Sequence, residues 1–351
     1  MQTRTRQAHA GPAYGLLHLH AEELSNTRVS SNEYRVAVVG ARRKRQGTGE
    51  YVAREFVRCG CKVPAIVGTS TSTIELARAA LRERYDIECN GYTSLAALLD
   101  AESIDVVAVC SPPHAHLSQL ELAAQVGCHV FSEKPLWWSD KLASAADEMR
   151  ERTEQLLRSF LKHHRYLALN TQWPFTLDAF RRLHPQALSA GQQPRRFSMW
   201  LSPTSGGRQM LVDSAPHLLS MLYALAGPGE IGQIRGEYRD LPEYGARSAM
   251  QLSFIYRHAQ GVIEAELSLS RCVQPPRPAG YSVNGFGAHR HIELPGYLLS
   301  FSANGESVPV PDPLAAAVAD FVRSLEGGRV PDRTHIVDGM MQLQQLVAAT
   351  E

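Results

Sequence analysis

The stretch that most constrains the fold is Asp105–Leu136, DVVAVCSPPHAHLSQLELAAQVGCHVFSEKPL. Asp105–Cys110 is an apolar run rich in valine, the pattern of a strand buried on both faces of a parallel sheet. Ser111-Pro112-Pro113 ends it, since proline has no N–H to give to a sheet ladder. His116–Val126 has helical spacing, and His129–Ser132 is a second short strand that stops at Glu133-Lys134-Pro135. Parallel strands joined by a helical crossover require a sheet covered by helices. A lysine at the carboxyl end of such a strand stands where ligands bind in open α/β sheets.

The residues upstream extend the same pattern. Tyr34–Gly40 (YRVAVVG) reads as a strand that stops at glycine, and Gly47-Thr48-Gly49 leads into a helical pattern over Glu50–Cys59. Gly40, Gly47, Thr48 and Gly49 suit a turn where backbone approaches a pyrophosphate at a helix N-terminus. The spacing is looser than a compact GxGxxG, so a glycine-turned loop with nothing bound is the plain alternative. Lys62–Gly68 is the second strand. NAD-preferring folds place a carboxylate near the end of this strand for the ribose 2′-hydroxyl. Here the sequence is Thr69-Ser70-Thr71-Ser72-Thr73. Hydroxyls of Thr69 and Ser70, with Arg42 and Arg43 from the long loop, suit a 2′-phosphate, so NADP(H) is favoured over NAD. Strand and helix patterns alternate over about 130 residues, which predicts a Rossmann-type doubly wound parallel sheet.

Beyond residue 140 the pattern changes. Asp140–His163 is a charge-rich helix and Tyr166–Trp173 a strand leading out of the first domain. Gly206–His217 brings Asp213 and His217 four residues apart, which on a helix is one face. Pro216 is tolerated only near a helix start, so the competing reading makes Asp213 an N-cap and His217 a first-turn residue. From Ile231 to Ser302 the period is two: Ile263, Ala265, Leu267 and Leu269 alternate with Glu264, Glu266 and Ser268. Pro313–Leu325 and Thr334–Ala349 read as closing helices. The division expected is a flexible extension over 1–33, a dinucleotide-binding domain over 34–165, and a substrate and oligomerisation domain of α+β type over 166–351, with a largely antiparallel open sheet.

Ser111-Pro112-Pro113-His114-Ala115-His116 resembles the Thr/Ser-Pro-x-x-x-His pattern of the Gfo/Idh/MocA oxidoreductases, the glucose-fructose oxidoreductase and inositol dehydrogenase family. Gly127–Pro135 resembles that family's Gly-x-x-V-x-x-E-K-P. The resemblance runs from about residue 34 to the C-terminus. It implies a cofactor edge that includes Ser111, Pro112, His116, Glu133 and Lys134. It also implies a substrate wall at Asn170, Gln172 and Trp173, where the family usually has Asn-x-Arg and this chain has glutamine in the arginine's place. The 206–217 segment is similar to the family's Gly-Gly…Asp-x-Gly-x-His, with Ala215 where glycine is common. The family also implies a homodimer or homotetramer formed through the second sheet.

Hydride transfer between an alcohol carbon and a nicotinamide needs positioning and a group to carry the hydroxyl proton. An imidazole, near about 6.5, needs less tuning for that task than an amine near about 10.4. The catalytic set expected is therefore His217 as acid/base, Lys134 polarising the substrate oxygen and Asp213 fixing the geometry, with the first two roles exchangeable. The function expected is an NAD(P)-dependent oxidoreductase acting on a small polar secondary alcohol or ketone such as a sugar or cyclitol. The alternatives are an NADPH-dependent imine reductase and a non-catalytic cofactor-binding or regulatory member. Composition narrows the partners: 351 residues with a net charge of +1 give no electrostatic case for nucleic acid or an anionic membrane. No apolar run approaches the roughly 20 residues that span a bilayer. Six scattered cysteines without a CxxC pair suit buried thiols in the cytoplasm. No metal site is expected, and His289 and His291 read as surface residues.

Overall fold

The computed structural model describes residues 33–42, 47–189, 192–294 and 296–351. The expected extension over 1–33 therefore lies almost wholly outside the described residues, as does Arg43.

Two sheets carry the architecture. The first is wholly parallel, with spatial order β3-β2-β1-β4-β5-β6. Its strands are β1 (Arg35–Val39), β2 (Lys62–Val67), β3 (Asn90–Tyr92), β4 (Val106–Val109), β5 (His129–Ser132) and β6 (Leu167–Leu169). The helices between them are α1 (Gly49–Arg58), α2 (Thr71–Tyr85), α3 (Leu95–Ala101), α4 (Pro113–Gln125) and α5 (Ala146–Lys162). Alternation within the strands explains the continuous apolar runs. Ala37, Val39, Val107 and Val109 pack into one core, while Val36, Val38, Val106 and Ala108 pack into another on the opposite face. A strand covered on both sides has no polar phase.

The second sheet has eight strands in the order β14-β13-β12-β11-β7-β10-β9-β8. They are β7 (Arg196–Leu201), β8 (Gly229–Leu241), β9 (Gly245–His258), β10 (Gly261–Ser270), β11 (Ala279–Val283), β12 (Phe286–Glu293), β13 (Leu298–Ala303) and β14 (Glu306–Val310). All neighbours are antiparallel except the β7–β10 pair. Helices α6 (Leu177–Leu183), α7 (Gly207–Ala226) and α9 (Arg333–Ala348) accompany it, and the apolar side of α7 is buried from Met210 to Tyr223.

Two elements cross the expected boundary at 165/166. β6 lies beyond it yet hydrogen-bonds to β5 within the first sheet. Helix α8 (Pro313–Glu326), late in the chain, returns to the first sheet. Phe321 meets Phe56 and Phe131 with ring centroids 5.9 and 5.5 Å apart, and Tyr166 stacks on it at 5.5 Å. These four aromatics seal that face of the domain with a segment assigned by sequence to the other one.

Among the described residues no helix is long and apolar enough to cross a membrane. All six cysteines are free.

Candidate active site

The strand order changes direction between β1 and β4, and the crevice at their carboxyl ends is where such sheets take ligands. Gly40 leaves β1 with φ +79°, and a Cβ there would stand 2.9 Å from Cys110 and Ser111 backbone atoms. A Cβ on Gly49 would stand 2.6 Å from Ala41 Cα and Gly40 O. Both glycines are thus required by close approach of the chain to itself. Thr48 is the residue before α1 and makes no side-chain cap bond to it. The first-turn amides of α1 therefore have no hydroxyl partner from that residue. Instead, the Thr48 hydroxyl donates to Glu133 Oε1 at 2.7 Å, and Asn170 Nδ2 donates to the same oxygen at 2.8 Å. Glu133 thereby ties the glycine loop, the end of β5 and the end of β6 together. It is not the ion partner of Lys134, and among the described residues Lys134 makes no ion pair.

Several residues expected to hold cofactor have structural work at this edge. His116 is fully buried; its Nδ1 lies 3.0 and 3.1 Å from the Pro135 and Leu136 carbonyls and its Nε2 2.7 Å from that of Ser111. It clamps the Ser-Pro-Pro turn to the Lys134-Pro135 loop and offers no atom to a ligand, which corrects its assignment to the cofactor. Burial, the leading effect, holds its pKa below the ordinary imidazole value. The Ser111 hydroxyl donates to Gln119 at 2.6 Å, and Pro112 and Pro113 start α4. Ser70 caps α2, its hydroxyl accepting from the Thr73 amide at 3.3 Å. Arg42 donates to Glu50 Oε1 at 3.1 Å, and Arg84 approaches the other oxygen at 3.4 Å. Among the described residues Gly47 and Thr69 have no such partner, and Thr69 is exposed.

The opposite wall comes from α7. The helix starts at Gly207, so Asp213, Pro216 and His217 are all interior to it. The reading of Asp213 as an N-cap is overturned. Pro216 removes the amide that would have bonded the Val212 carbonyl. Asp213 and His217 share a face but divide their work. The Asp213 carboxylate accepts from Ser205 Oγ at 2.9 Å and Gln209 Nε2 at 2.7 Å. Its main-chain carbonyl accepts from Lys134 Nζ at 2.6 Å. Asp213 thus fixes the lysine through its backbone, and Lys134 joins the end of β5 to the middle of α7. Behind this contact lies a cavity of about 40 Å³ walled by Lys134, Leu169, Thr171, Pro216 and Ser220.

The His217 Nδ1 is sealed from solvent and, among the described residues, has no hydrogen-bond partner. Burial first, then the charges of Lys134 and Arg290, hold its pKa well below the ordinary value, so the ring is neutral at pH 7. Trp173 is 6% exposed and begins a short 3-10 turn, Trp173–Thr176. It meets the His217 ring edge-on at 6.4 Å and Tyr281 at 5.9 Å. The Arg290 guanidinium carbon stands 5.5 Å from the Trp173 ring centre. Asn170 is buried, and its Oδ1 has no partner. Gln172 starts the turn and is half-buried.

Sequence reasoning missed Arg290. On β12 the inward phase is Phe286, Ala288, Arg290 and Ile292, so the arginine occupies an apolar position of an alternating strand. That was the available signal. His289 and His291, on the other phase, are exposed. Among the described residues no group of three or more potential ligands is placed to hold a metal.

Residues 34–160 match the Gfo/Idh/MocA family model, described as an oxidoreductase family with an NAD-binding Rossmann fold. The matched span holds both motifs, Ser111–His116 and Gly127–Pro135. A D-glucoside 3-dehydrogenase of Escherichia coli (strain K12) is 31% identical over 146 residues, 41% of this chain and 38% of that protein. The aligned part is thus well under half of the relative's length. A solved scyllo-inositol dehydrogenase from Lactobacillus casei, with NAD(H) and scyllo-inositol bound, superposes with a TM-score of 0.66 at 16% identity, over 91% of this chain and 96% of that one. A UDP-N-acetylglucosamine 3-dehydrogenase from Acidithiobacillus ferrooxidans gives 0.64 at 18%, over 91% and 98%. At these identities the likeness shows a shared fold across both sheets.

Proposed function

We propose that this chain is a nicotinamide-dependent oxidoreductase acting on the secondary alcohol or ketone of a small polar substrate of sugar or cyclitol type. The observation that carries the reading is the pairing across the crevice of a lysine amine held by the Asp213 carbonyl with a neutral imidazole whose buried Nδ1 has no partner among the described residues. The residues at the sheet edge fit a dinucleotide: Gly40 and Gly49 keep side chains out of the turn, and α1 begins without a hydroxyl cap. The family description and the NAD(H) seen in the Lactobacillus casei neighbour support the same cofactor class.

A bound nicotinamide supplies the hydride acceptor or donor for the substrate carbon. The chain's own groups manage the oxygen and its proton. Lys134 Nζ, anchored by one hydrogen bond, has N–H groups left to hold the substrate oxygen. His217 takes the hydroxyl proton at Nε2 in the oxidative direction and returns it in the reductive one. A neutral ring is the form that accepts a proton, so the cationic neighbours that depress its pKa keep it ready. Trp173 braces the imidazole and closes the wall. NADP(H) is the proposed preference, because residues 68–73 place hydroxyls and no carboxylate after β2. Arg42 adds less to that preference than its sequence position suggested, being paired with Glu50.

Cofactor absorbance on a panel of polyols and keto-sugars tests the proposal. Turnover is expected with at least one substrate and is lost in His217→Asn and Lys134→Ala. Undiminished turnover in Lys134→Ala would show that the amine does not act on the substrate oxygen.

A further inference from the structure

Arg290 is a positive charge in the wrong phase of a strand. Its neighbours on the inward side of β12 are apolar, with Ala288 fully buried. An arginine placed there in a folded protein normally meets a carboxylate, because an unpaired buried charge is costly. Arg290 meets none. Among the described residues it forms no ion pair, and its one hydrogen bond runs from Nη2 to the Arg277 carbonyl at 3.0 Å. The charged or titratable groups that bear on it are Tyr297, Arg277 and the His217 imidazole, and none is a carboxylate. Its Nε is buried without an acceptor.

The location gives the orphan donor a meaning. The guanidinium lies against Trp173, and Trp173 lies against His217. Through Trp173 the guanidinium thus belongs to the same wall as the His217 imidazole. The cleft holds two cationic side chains and one neutral ring, while the Asp213 carboxylate is committed to Ser205 and Gln209. A neutral sugar would leave the guanidinium uncompensated. A carboxylate supplies what is missing, a charge of the opposite sign with oxygens in the geometry of an arginine fork.

We infer that the substrate carries a carboxylate and that Arg290 binds it: the chain acts on an acidic sugar or polyol, such as a uronic or aldonic acid, in preference to its neutral counterpart. This rests on the oxidoreductase reading for the identity of the reacting group, but the anion site itself does not depend on turnover.

Two measurements keep the outcomes separate. Thermal unfolding is followed in D-glucuronate, D-gluconate and D-glucose, with sodium chloride at matched ionic strength. The two acids raise the wild-type Tm, while glucose and chloride leave it unchanged. Arg290→Met abolishes the acid-specific rise. Its own Tm without ligand is equal to or above wild type, because an uncompensated charge has been replaced by a fitting apolar chain. Arg290→Lys keeps part of the rise. The kinetic arm compares kcat/KM for matched acid and neutral substrates. The acid is favoured roughly tenfold or more, the scale of one hydrogen bond to a charged group. Arg290→Met removes that preference, the loss on the acid substrate appearing chiefly in KM. No acid-specific shift in Tm, or an equal loss on both substrates, overturns the inference. Acid-specific binding that needs Arg290, without turnover of any substrate, upholds the anion site and sinks the oxidoreductase reading instead.

Discussion

The two walls of the crevice differ in how their polar groups are satisfied. On the first-sheet wall the groups are largely spent on one another. Glu133 accepts from Thr48 and Asn170, His116 is clamped by three carbonyls, Ser111 bonds Gln119, Ser70 caps α2, and Arg42 pairs with Glu50. On the wall built by α7, the Trp173 turn and β12, the His217 Nδ1 and the Arg290 Nε have no partner among the described residues. Buried polar groups in folded proteins are nearly always paired. On the proposed function, the first wall is a scaffold that holds a shape and the second is the part that recognises and reacts. Asn170 stands at the join, one amide atom bonded to Glu133 and the other free.

Substitutions should divide along the same line. The largest effect belongs to the reacting wall: His217→Asn is expected to lower kcat/KM by about 10²- to 10⁴-fold, the usual worth of a positioned acid or base, while leaving the unfolding midpoint close to wild type. The depressed pKa adds a signature, because the acid limb of the kcat/KM profile falls below the ordinary imidazole value of about 6.5. A limb at or above that value would remove His217 from the proton path.

On the scaffold wall, His116→Leu strands buried carbonyls and should cost about 2–3 kcal/mol of unfolding free energy, read by urea denaturation. Loss of activity without loss of stability would move His116 back to the reacting side. A gentler effect comes from His129, whose pKa is lowered to about 4 by burial and then by Arg165. Its Nδ1 accepts the Tyr166 amide at 2.9 Å and must be unprotonated to do so. The unfolded chain binds this proton near 6.5 and the folded chain only near 4, so stability falls as pH drops through that window. His129→Gln should flatten the decline, as measured by the pH dependence of urea unfolding. The smallest effect is Ser70→Ala, about 1 kcal/mol for a lost helix cap. An unchanged NADPH-to-NADH ratio in this variant would confine Ser70 to capping. A changed ratio would return it to the cofactor.

Which of these roles could be read from sequence follows from the physics. Fully apolar runs such as Val106–Val109 announce a doubly covered strand, and the Glu-Lys-Pro end follows from the strand it closes. Position alone does not say whether a polar residue is spent or free. His116 lies in a ligand-edge motif yet holds the turn in place, and Asp213 acts on Lys134 through its carbonyl, which no side-chain pattern reveals. β3, whose residues are Asn-Gly-Tyr, carries turn signals and is a strand only because β2 offers an edge. Arg290 became visible once β12 was in register, since its meaning lies in which phase of the strand it occupies. Helix α8 closes the first domain from residues more than 200 positions downstream of β1's partners, a return that local pattern does not encode.

The most direct test of the central claim is a titration of the purified chain with NADPH and NADH, followed by nicotinamide fluorescence. Saturable binding of at least one is expected, tighter for NADPH. Absence of saturable binding for both would contradict the account.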